Sequence, residues 1–529
     1  MTQFHRISCA LALGAVSLFC TAQTLRAQEQ QRPQRSEESH GEANKPEATP
    51  AVPPEKSSVT HHDLNLDGKT LHYTATASTL LIRDGEDDHP YGSIFSVAYT
   101  LDGADTNSRP VTFFYNGGPG SATVWLHMGS FSPVRIETAS PNATGPAPYH
   151  LVPNEYSLLD KSDLVFIDAP LTGFSKAVGK GTDKDFRGVD QDIKAFDKFV
   201  LRWLTVNQRW NSPKFLFGES YGTPRSCGLA DALEEDGASL NGVVLLSSIL
   251  NYNVMAPGLD EDFIGTVPSY AAIAWFHNKL QNKPPDVKAF LQEVRTFARG
   301  EYAEALREGD QISPEKYDAV AAKYASYTGL SVQYVKEAHL RVSPTRFRKE
   351  LMRDEGDILG RYDARFEGTD VDNAGENPGY DPSDTGITGA FVSAFHNYLT
   401  TELKWETTDT YNVHSVSEVP WDMHHVMPGQ RGFGGGGGGR ASLPYLAGDL
   451  GDAMRKNPKL KVLSANGYFD LATPFFITEY DIAHMMLTPE LAKNVSFVYY
   501  PSGHMVYLNV DALKQFKHDL SEWYASTGH

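Results

Sequence analysis

The pentapeptide GESYG at residues 218–222 presents Ser220 in a setting that suits nucleophilic catalysis. It follows an apolar run at residues 214–217 and begins a stretch that favours a helix. A sharp turn from strand to helix exposes a serine hydroxyl, and flanking glycines let the two backbone segments pack closely. Because G-x-S-x-G also occurs by chance in many chains, the pattern needs support from elsewhere in the sequence.

An acidic residue and a histidine occur in suitable places later in the chain. Asp470 follows the apolar run at residues 461–465, and His504 follows another at residues 495–500. An acid and then a histidine, each just beyond a late strand, give the order Ser, Asp, His that is typical of the α/β-hydrolase fold. The sequence therefore predicts a triad of Ser220, Asp470 and His504.

A glycine-rich turn lies upstream of the serine. The apolar run at residues 111–115 ends in NGGPG at residues 116–120. In an α/β-hydrolase the loop after this strand gives one backbone N–H to the oxyanion hole, and the residue after the nucleophile gives the other. The same residues also suit an ordinary tight turn. The position of the turn in the chain favours the oxyanion hole.

Several short apolar runs predict strands. The early runs follow each other closely, which favours antiparallel hairpins, whereas helix-favouring stretches separate the later ones. Continuous apolar strands with intervening helices are typical of a parallel sheet that is covered on both faces. We predict an α/β-hydrolase fold with a mostly parallel central sheet, flanking helices and an inserted, mainly helical lid. The candidate strands are residues 71–74, 93–99, 111–115, 164–167, 214–217, 243–246, 462–465 and 495–500.

The N-terminal residues have the layout of an export signal. Arg6 precedes an apolar stretch at residues 7–20, and the small residues Ala22 and Ala27 follow. The stretch is too short to span a bilayer comfortably, so we predict a cleaved signal peptide at residues 1–27 and no stable membrane insertion. Export would place the protein in the periplasm or outside the cell.

The rest of the chain divides by composition. The segment after the signal is rich in Glu, Gln, Pro and Ser and has too few apolar residues to order itself. A polar, helix-biased middle region ends near the glycine-rich stretch at residues 432–439. We predict a disordered leader (28–60), the first part of the core (61–250), an inserted lid (251–430) and the second part of the core (431–529).

Composition excludes some classes of partner. The chain has 529 residues, of which 40% are hydrophobic, so it can bury a large core. Its formal net charge of −19 argues against binding to nucleic acid. Cys9 and Cys20 would leave with the signal peptide, so Cys227 would have no partner for an internal disulfide.

The chain resembles the serine carboxypeptidases, the family that includes cathepsin A and carboxypeptidase Y. The resemblance rests on five motifs that occur in the family's order and cover most of the predicted folded part. They are NGGPG at 116–120, IDAPLTGFS at 167–175, GESYG at 218–222, GYFDLATP at 467–474 and GHMV at 503–506.

The resemblance implies a role for each matching residue. Ser220 would be the nucleophile, His504 the general base and then the general acid, and Asp470 the residue that orients the imidazole. Gly118 and Tyr221 would donate backbone N–H groups to the oxyanion. The residues implied in substrate binding are Asn116 and Glu219, for the C-terminal carboxylate of a peptide, and Met505, for the pocket of the departing residue.

Glu219 is chemically unusual beside a nucleophilic serine. Its negative charge would repel an incoming carboxylate unless the side chain is protonated and donates a hydrogen bond. Such a site should work best in acid. A solvated residue of the turn is the alternative interpretation of Glu219. By counting from Pro119, Ser130 takes the place of a second Glu that the family carries, which weakens the expectation of strict specificity for free C-termini.

These observations indicate an exported serine carboxypeptidase that acts on peptides through an acyl-enzyme, without a metal or an organic cofactor. One alternative is an esterase, acyltransferase or general peptidase that uses the same residues. Another is a noncatalytic binding protein on the same scaffold. The intact set of Ser220, Asp470 and His504 argues against the second alternative.

Overall fold

The computed structural model describes residues 52–427 and 443–528. The expected signal peptide, the expected leader up to residue 51 and the glycine-rich stretch at residues 432–439 lie outside the described residues. The strands are β1 (Ser57–Leu66), β2 (Lys69–Asp84), β3 (His89–Leu101), β4 (Val111–Tyr115), β5 (Val134–Ile136), β6 (Leu151–Pro153), β7 (Asp163–Ile167), β8 (Lys176–Ala177), β9 (Lys214–Glu219), β10 (Gly242–Leu246), β11 (Asp357–Leu359), β12 (Glu367–Thr369), β13 (Lys461–Gly467) and β14 (Val495–Tyr500). The helices are α1 (Val124–Gly129), α2 (Val189–Val206), α3 (Gly222–Glu235), α4 (Glu261–Phe276), α5 (Val287–Phe297), α6 (Ala303–Glu308), α7 (Pro314–Thr328), α8 (Val332–Glu337), α9 (Pro344–Glu350), α10 (Pro382–Thr401), α11 (Ala447–Lys456), α12 (Phe475–Ala483), α13 (Pro489–Ala492) and α14 (Val510–Ser526).

The central sheet is mixed, with its parallel part at the later strands. In the described chain it has 10 strands in the order β1-β2-β3-β7-β4-β9-β10-β13-β14, and β8 pairs with β3. Along this order, the pairs β1–β2, β2–β3 and β3–β7 are antiparallel. The remaining pairs, β7–β4, β4–β9, β9–β10, β10–β13 and β13–β14, are all parallel. This arrangement confirms the predicted fold, including the antiparallel early strands.

Both faces of the sheet are buried. In β4, Phe113 faces α2, where its ring meets Trp203 edge to face at 5.4 Å. On the opposite face Phe114 stacks between Phe166 and Phe217, at 4.7 and 4.8 Å. Side chains of α2, α3 and α11 complete the first core, and those of α1, α10 and α14 complete the second. Such two-sided burial explains why these strands are apolar throughout rather than alternating.

The segment between β10 and β13 is mainly helical and has a core of its own. Within that core Tyr270 of α4 stacks on Phe347 of α9, with ring centroids 4.0 Å apart. The same core includes Phe469 and Leu471, which flank Asp470 in the loop after β13. The inserted helices therefore pack directly against the loop that carries the predicted acid. None of the helices in the described ranges is long and apolar enough to cross a membrane.

The ordered chain begins earlier than expected. The predicted disordered leader extends to residue 60, but β1 begins at Ser57 and pairs with β2 from Ser57 opposite Ser78. β2 itself runs over Lys69–Asp84, well beyond the predicted strand at residues 71–74. Residues 57–60 are mostly polar, so no apolar run marks them. Backbone pairing with a long neighbouring strand orders them instead.

Candidate active site

Ser220 lies at the sharp turn between β9 and α3. Its φ is 59°, in the left-handed region that non-glycine residues seldom adopt. Its N–H donates to the carbonyl of Leu246 at 3.0 Å, and its carbonyl accepts from the N–H of Thr223 at 2.8 Å. A Cβ at Gly218 would lie 2.2 Å from the carbonyl oxygen of Gly222, so the turn needs glycine there. This is the strand–turn–helix geometry that G-x-S-x-G requires.

Asp470 and His504 form a buried pair at the ends of adjacent strands. Asp470 follows β13 and His504 follows β14, and the two strands pair in parallel. His504 Nδ1 lies 2.8 Å from Asp470 Oδ2, and both side chains are almost fully buried. Asp470 also accepts from the N–H groups of Ala472 and Thr473, at 2.7 and 3.0 Å, and from the Thr473 hydroxyl at 2.7 Å. These donors fix the carboxylate, which in turn fixes the imidazole ring.

Ser220 and His504 face one cavity. It has a volume of roughly 350 Å³. The loops that follow β4, β9 and β13 and residues of the inserted segment form its walls. Asp470 lies behind His504, outside the lining. The other predicted site residues that line the cavity are Asn116, Gly118, Glu219, Tyr221 and Met505. The structure therefore brings the predicted residues together at the carboxyl ends of the strands, where open α/β sheets bind ligands.

The glycine-rich turn lies against the serine turn, backbone to backbone. A Cβ at Gly117 would come within 2.3 Å of the backbone N of Tyr221, so any other residue would push the two loops apart. Gly118 has a φ of 108°, which favours glycine. Within residues 52–427 and 443–528, the N–H groups of Gly118 and Tyr221 have no hydrogen-bond acceptor. Two free backbone donors beside a serine hydroxyl are what an oxyanion hole needs.

Glu219 and Asn116 form the floor of the cavity next to the serine. Both side chains are 2% exposed. Asn116 Oδ1 accepts from the N–H of Leu126 at 2.9 Å, which leaves its amide N–H₂ to donate. The carboxyl of Glu219 interacts with the side chains of Asn116 and Tyr507. Its Oε2 has no hydrogen-bond partner among the described residues. A buried carboxyl with an unused oxygen is not a solvated residue of the turn.

Burial dominates the protonation of Glu219. It raises the pKa of Glu219 to about 7, against the opposing effects of His504, Tyr507 and Asn116. Burial lowers the pKa of His504, but Asp470 and Glu219 together raise it above its usual value. Glu219 is therefore largely protonated in mild acid. In that state it no longer favours the charged form of His504.

Two residues near the glycine-rich turn serve packing. Ser130, at the position of the expected second Glu, is fully buried and donates its hydroxyl to the carbonyl of Leu126 at 2.5 Å. It does not line the cavity. His127 stacks on Phe166 at 4.4 Å and lies 2.6 Å from the Tyr99 hydroxyl, and burial lowers its pKa to about 3. His127 is therefore a neutral residue that packs in the core.

Several residues at the site were not among the predicted site residues. Tyr507, three positions after His504, affects the protonation of Glu219, and the Thr473 hydroxyl donates to Asp470. From the inserted segment, Arg361 and Tyr362 also line the cavity. Thr473 lies within the motif at residues 467–474, and Tyr507 directly follows the motif at residues 503–506. Arg361 and Tyr362, by contrast, reach the site through tertiary packing alone. In the ranges that the structure describes, no group of three or more His, Cys, Asp or Glu side chains is arranged to hold a metal ion.

Known proteins resemble parts of this chain. A family model described as serine carboxypeptidase matches residues 95–283. Serine carboxypeptidase-like 51 from Arabidopsis thaliana is 30% identical over 115 residues, which is 21% of this chain and 22% of that protein. Serine carboxypeptidase-like 44 from the same plant is 27% identical over 190 residues, 34% of this chain and 35% of that protein. The chain thus matches about a third or less of the length of these curated relatives.

Solved structures are similar over a larger share of the chain but at low identity. A prohormone-processing carboxypeptidase from Saccharomyces cerevisiae has a TM-score of 0.49 and 16% identity, covering 86% of this chain and 91% of the other. A proline iminopeptidase from Mycobacterium smegmatis has a TM-score of 0.35 and 12% identity, covering 85% and 98%.

The sheet order, the serine turn and the buried acid–histidine pair define an α/β-hydrolase. The match over residues 95–283 contains the glycine-rich turn and the serine turn. Over these residues the chain is similar to the serine carboxypeptidases.

Proposed function

We propose that this chain is a serine carboxypeptidase that releases C-terminal residues from peptides through an acyl-enzyme, with its highest activity in acid. The observation that carries the proposal is Glu219. It directly precedes Ser220, is 2% exposed, and has a pKa raised by burial to about 7. A protonated carboxyl in this position donates a hydrogen bond to a carboxylate, whereas an ionised one would repel it.

Binding would begin with the carboxylate at the peptide's C-terminus. The amide N–H₂ of Asn116 and the protonated carboxyl of Glu219 would each donate a hydrogen bond to it. Met505 is 5% exposed and would contact the side chain of the departing residue. These contacts would set the last peptide bond above Ser220, which is the positioning that converts binding into rate.

Acylation would use the triad. The hydroxyl oxygen of Ser220 would attack the carbonyl carbon of the last peptide bond while His504 Nε2 takes the hydroxyl proton. The oxyanion would accept hydrogen bonds from the N–H groups of Gly118 and Tyr221. Collapse would then break the C–N bond. His504 would return its proton to the departing nitrogen, which leaves as a free amino acid, and the remaining peptide would stay on Ser220 as an ester.

Deacylation would reverse these roles with water. His504 would take a proton from a water molecule whose oxygen attacks the ester carbonyl. The proton would then pass to Ser220 as the ester bond breaks, which releases the shortened peptide with a new carboxylate. The Asp470 carboxylate would hold the Nδ1–H of His504 throughout and would stabilise the imidazolium without taking its proton.

The mutual influence of Glu219 and His504 favours a pH optimum of activity in mild acid. A general base must be neutral, and Asp470 and Glu219 raise the pKa of His504 although burial lowers it. Protonation of Glu219 removes one of these two charges. The proton that permits carboxylate binding therefore also helps His504 to remain a base in mild acid.

An esterase, acyltransferase or general peptidase is the second candidate. The observation in its favour is Ser130, which is buried and bonded to Leu126, so one expected carboxylate-recognition residue is absent from the cavity. Rates on one peptide as free acid and as C-terminal amide, and on a simple ester, separate the candidates. A carboxypeptidase prefers the free acid. Labelling of Ser220 by a serine-directed phosphonate tests whether the site is catalytic at all.

The proposed substrates are peptides outside the cytoplasm, in the periplasm or the medium. Support comes from the signal-peptide pattern at residues 1–27. Fractionation of cells that express the full chain, with N-terminal sequencing of the product, tests this location. A mature N-terminus at residue 28 in the exported fraction is the expected result.

A further inference from the structure

Arg361 and Tyr362 connect the inserted segment to both loops of the predicted triad. The N–H of Leu471, next to Asp470, donates to the carbonyl of Arg361 at 3.1 Å. The N–H of His504 donates to the carbonyl of Tyr362 at 2.6 Å. These two bonds fix the backbone of Arg361 beside the triad, although the residue comes from outside the core.

The guanidinium of Arg361 is a cation on the cavity wall without an anionic partner in the described residues. It lines the cavity together with Ser220 and lies 5.4 Å from the ring centroid of Tyr362. Two other arginines of the inserted segment are differently placed, since Arg346 pairs with Glu376 at 2.9 Å and Arg365 is 7% exposed beside Asp363. Arg361 is solvent-exposed.

The Asp381 carboxylate accepts from the backbone N–H of Arg361 at 3.0 Å, but no ion pair in the described residues joins a carboxylate to the guanidinium. Asp384 interacts with Thr388 and is affected by His414, which also lines the cavity. The positive charge of Arg361 affects the protonation of His504 in the predicted triad. Burial lowers the pKa of His504, and Arg361 adds to this effect, against the stronger influence of Asp470 and Glu219.

We propose that Arg361 binds a carboxylate of the substrate peptide and so supplies the recognition that Ser130 does not. This inference rests on the proposed carboxypeptidase function. A guanidinium presents two parallel N–H groups that match a carboxylate. A local cation also offsets the repulsion that a chain of formal net charge −19 exerts on an anionic substrate.

The carboxylate has two possible sources, the C-terminus of the peptide or an acidic side chain near it. The experiment measures kcat/KM for one peptide in four forms, with Asn or Asp as the last residue and with a free or an amidated C-terminus. The enzymes are the wild type, Arg361→Gln, Arg361→Lys and the control Arg307→Gln. Arg307 is exposed on α6 and does not line this cavity.

For Arg361→Gln we expect a loss of roughly 5- to 30-fold in kcat/KM, mainly through KM, on the form whose carboxylate it binds. Loss on both free acids identifies the C-terminus, and loss confined to the Asp peptides identifies the side chain. Arg361→Lys should recover part of the loss because it keeps the charge. Arg307→Gln should resemble the wild type in all four assays.

Equal effects of Arg361→Gln on all four forms, or none, would overturn the proposal. If the wild type cuts amides as fast as acids, the carboxypeptidase function fails instead, and the amidated Asp and Asn pair still tests Arg361. Labelling of Ser220 by the phosphonate checks that the Arg361→Gln site is intact. If Arg361→Gln fails to label, Arg361→Lys is compared with the wild type instead. An unchanged ratio of kcat/KM among the four peptide forms in Arg361→Lys would then reject the proposal.

Discussion

Glu219 and His504 influence each other's protonation across the candidate active site. Burial raises the pKa of Glu219 to about 7, although His504 acts to lower it. Burial lowers the pKa of His504, but Asp470 and Glu219 raise it by more. The carboxyl next to the nucleophile and the proposed base therefore titrate as neighbours, and this coupling determines how activity should depend on pH.

Ser220→Ala should remove nearly all turnover and leave the fold intact. Loss of a triad residue lowers kcat by about 10⁴- to 10⁶-fold. The variant should unfold at about the temperature of the wild type, because alanine keeps the Cβ and the backbone φ of 59°. Kinetics and labelling by a phosphonate check this prediction. Cys227→Ala is the control, since the thiol is fully buried and should not contribute to turnover. Substantial turnover by folded Ser220→Ala would reject the assignment.

Glu219→Gln should remove the alkaline decline of peptidase activity. In the wild type, kcat/KM for a free-acid peptide should fall as pH rises through about 7, because Glu219 loses the proton that it donates. Glutamine keeps a donor and does not titrate, so the decline should flatten. The control is Glu490→Gln, an exposed residue of α13. An unchanged alkaline limb in Glu219→Gln would mean that another group controls it.

The same variant should shift the acid limb of esterase activity. An ester without a carboxylate needs only a neutral His504, so its rate should rise with pH through the pKa of that residue. Burial lowers this pKa, while Asp470 and Glu219 raise it. Removal of the Glu219 charge should therefore move the midpoint to lower pH. The pH profiles of kcat/KM for the wild type and Glu219→Gln on one ester test the sign, and a shift to higher pH would contradict the coupling.

Asn116→Ala should weaken the preference for free acids and also destabilise the protein. The free-acid to amide ratio of kcat/KM should fall by the value of a hydrogen bond to a charged group, about 1.5–3 kcal/mol. The N–H of Leu126 would lose its acceptor, which costs about 1–3 kcal/mol of folding free energy. Thermal unfolding measures the second effect. A lower stability with an unchanged ratio would assign Asn116 to structure alone.

Gly117→Ala should lower kcat by roughly 10²- to 10³-fold, the cost of a displaced oxyanion donor. The added methyl carbon would lie 2.3 Å from the backbone N of Tyr221, so the two loops must separate. Gly145→Ala is the matched control, because a Cβ there meets no atom within 4 Å. Wild-type kcat in Gly117→Ala would show that the spacing of the two loops is not critical.

The sequence predicts the parts of the fold that depend on short-range patterns. Continuous apolar runs give the parallel strands, and glycines at the two turns mark places where a side chain would clash, as at Gly117 and Gly218. Ser220, Asp470 and His504 each come shortly after one of these strands. Each of these features depends on residues that are close to it in the sequence.

The remaining features depend on contacts between distant segments. Arg361 meets the triad loops through backbone hydrogen bonds, which leave no mark on residue type. β1 begins at Ser57 because β2 extends far enough to pair with it, and neither end is apolar. The raised pKa of Glu219 comes from burial and could be argued only as a requirement of carboxylate binding.

Mass spectrometry of matched peptides after incubation with the enzyme in mild acid tests the central claim most directly. The mixture holds each peptide with a free C-terminus and with an amidated one, and Ser220→Ala is the blank. We expect the free acids to lose single residues from the C-terminus, with the amides cut much more slowly. Equal cleavage of acids and amides, or cuts within the chain, would contradict a carboxypeptidase and leave a general peptidase or an esterase.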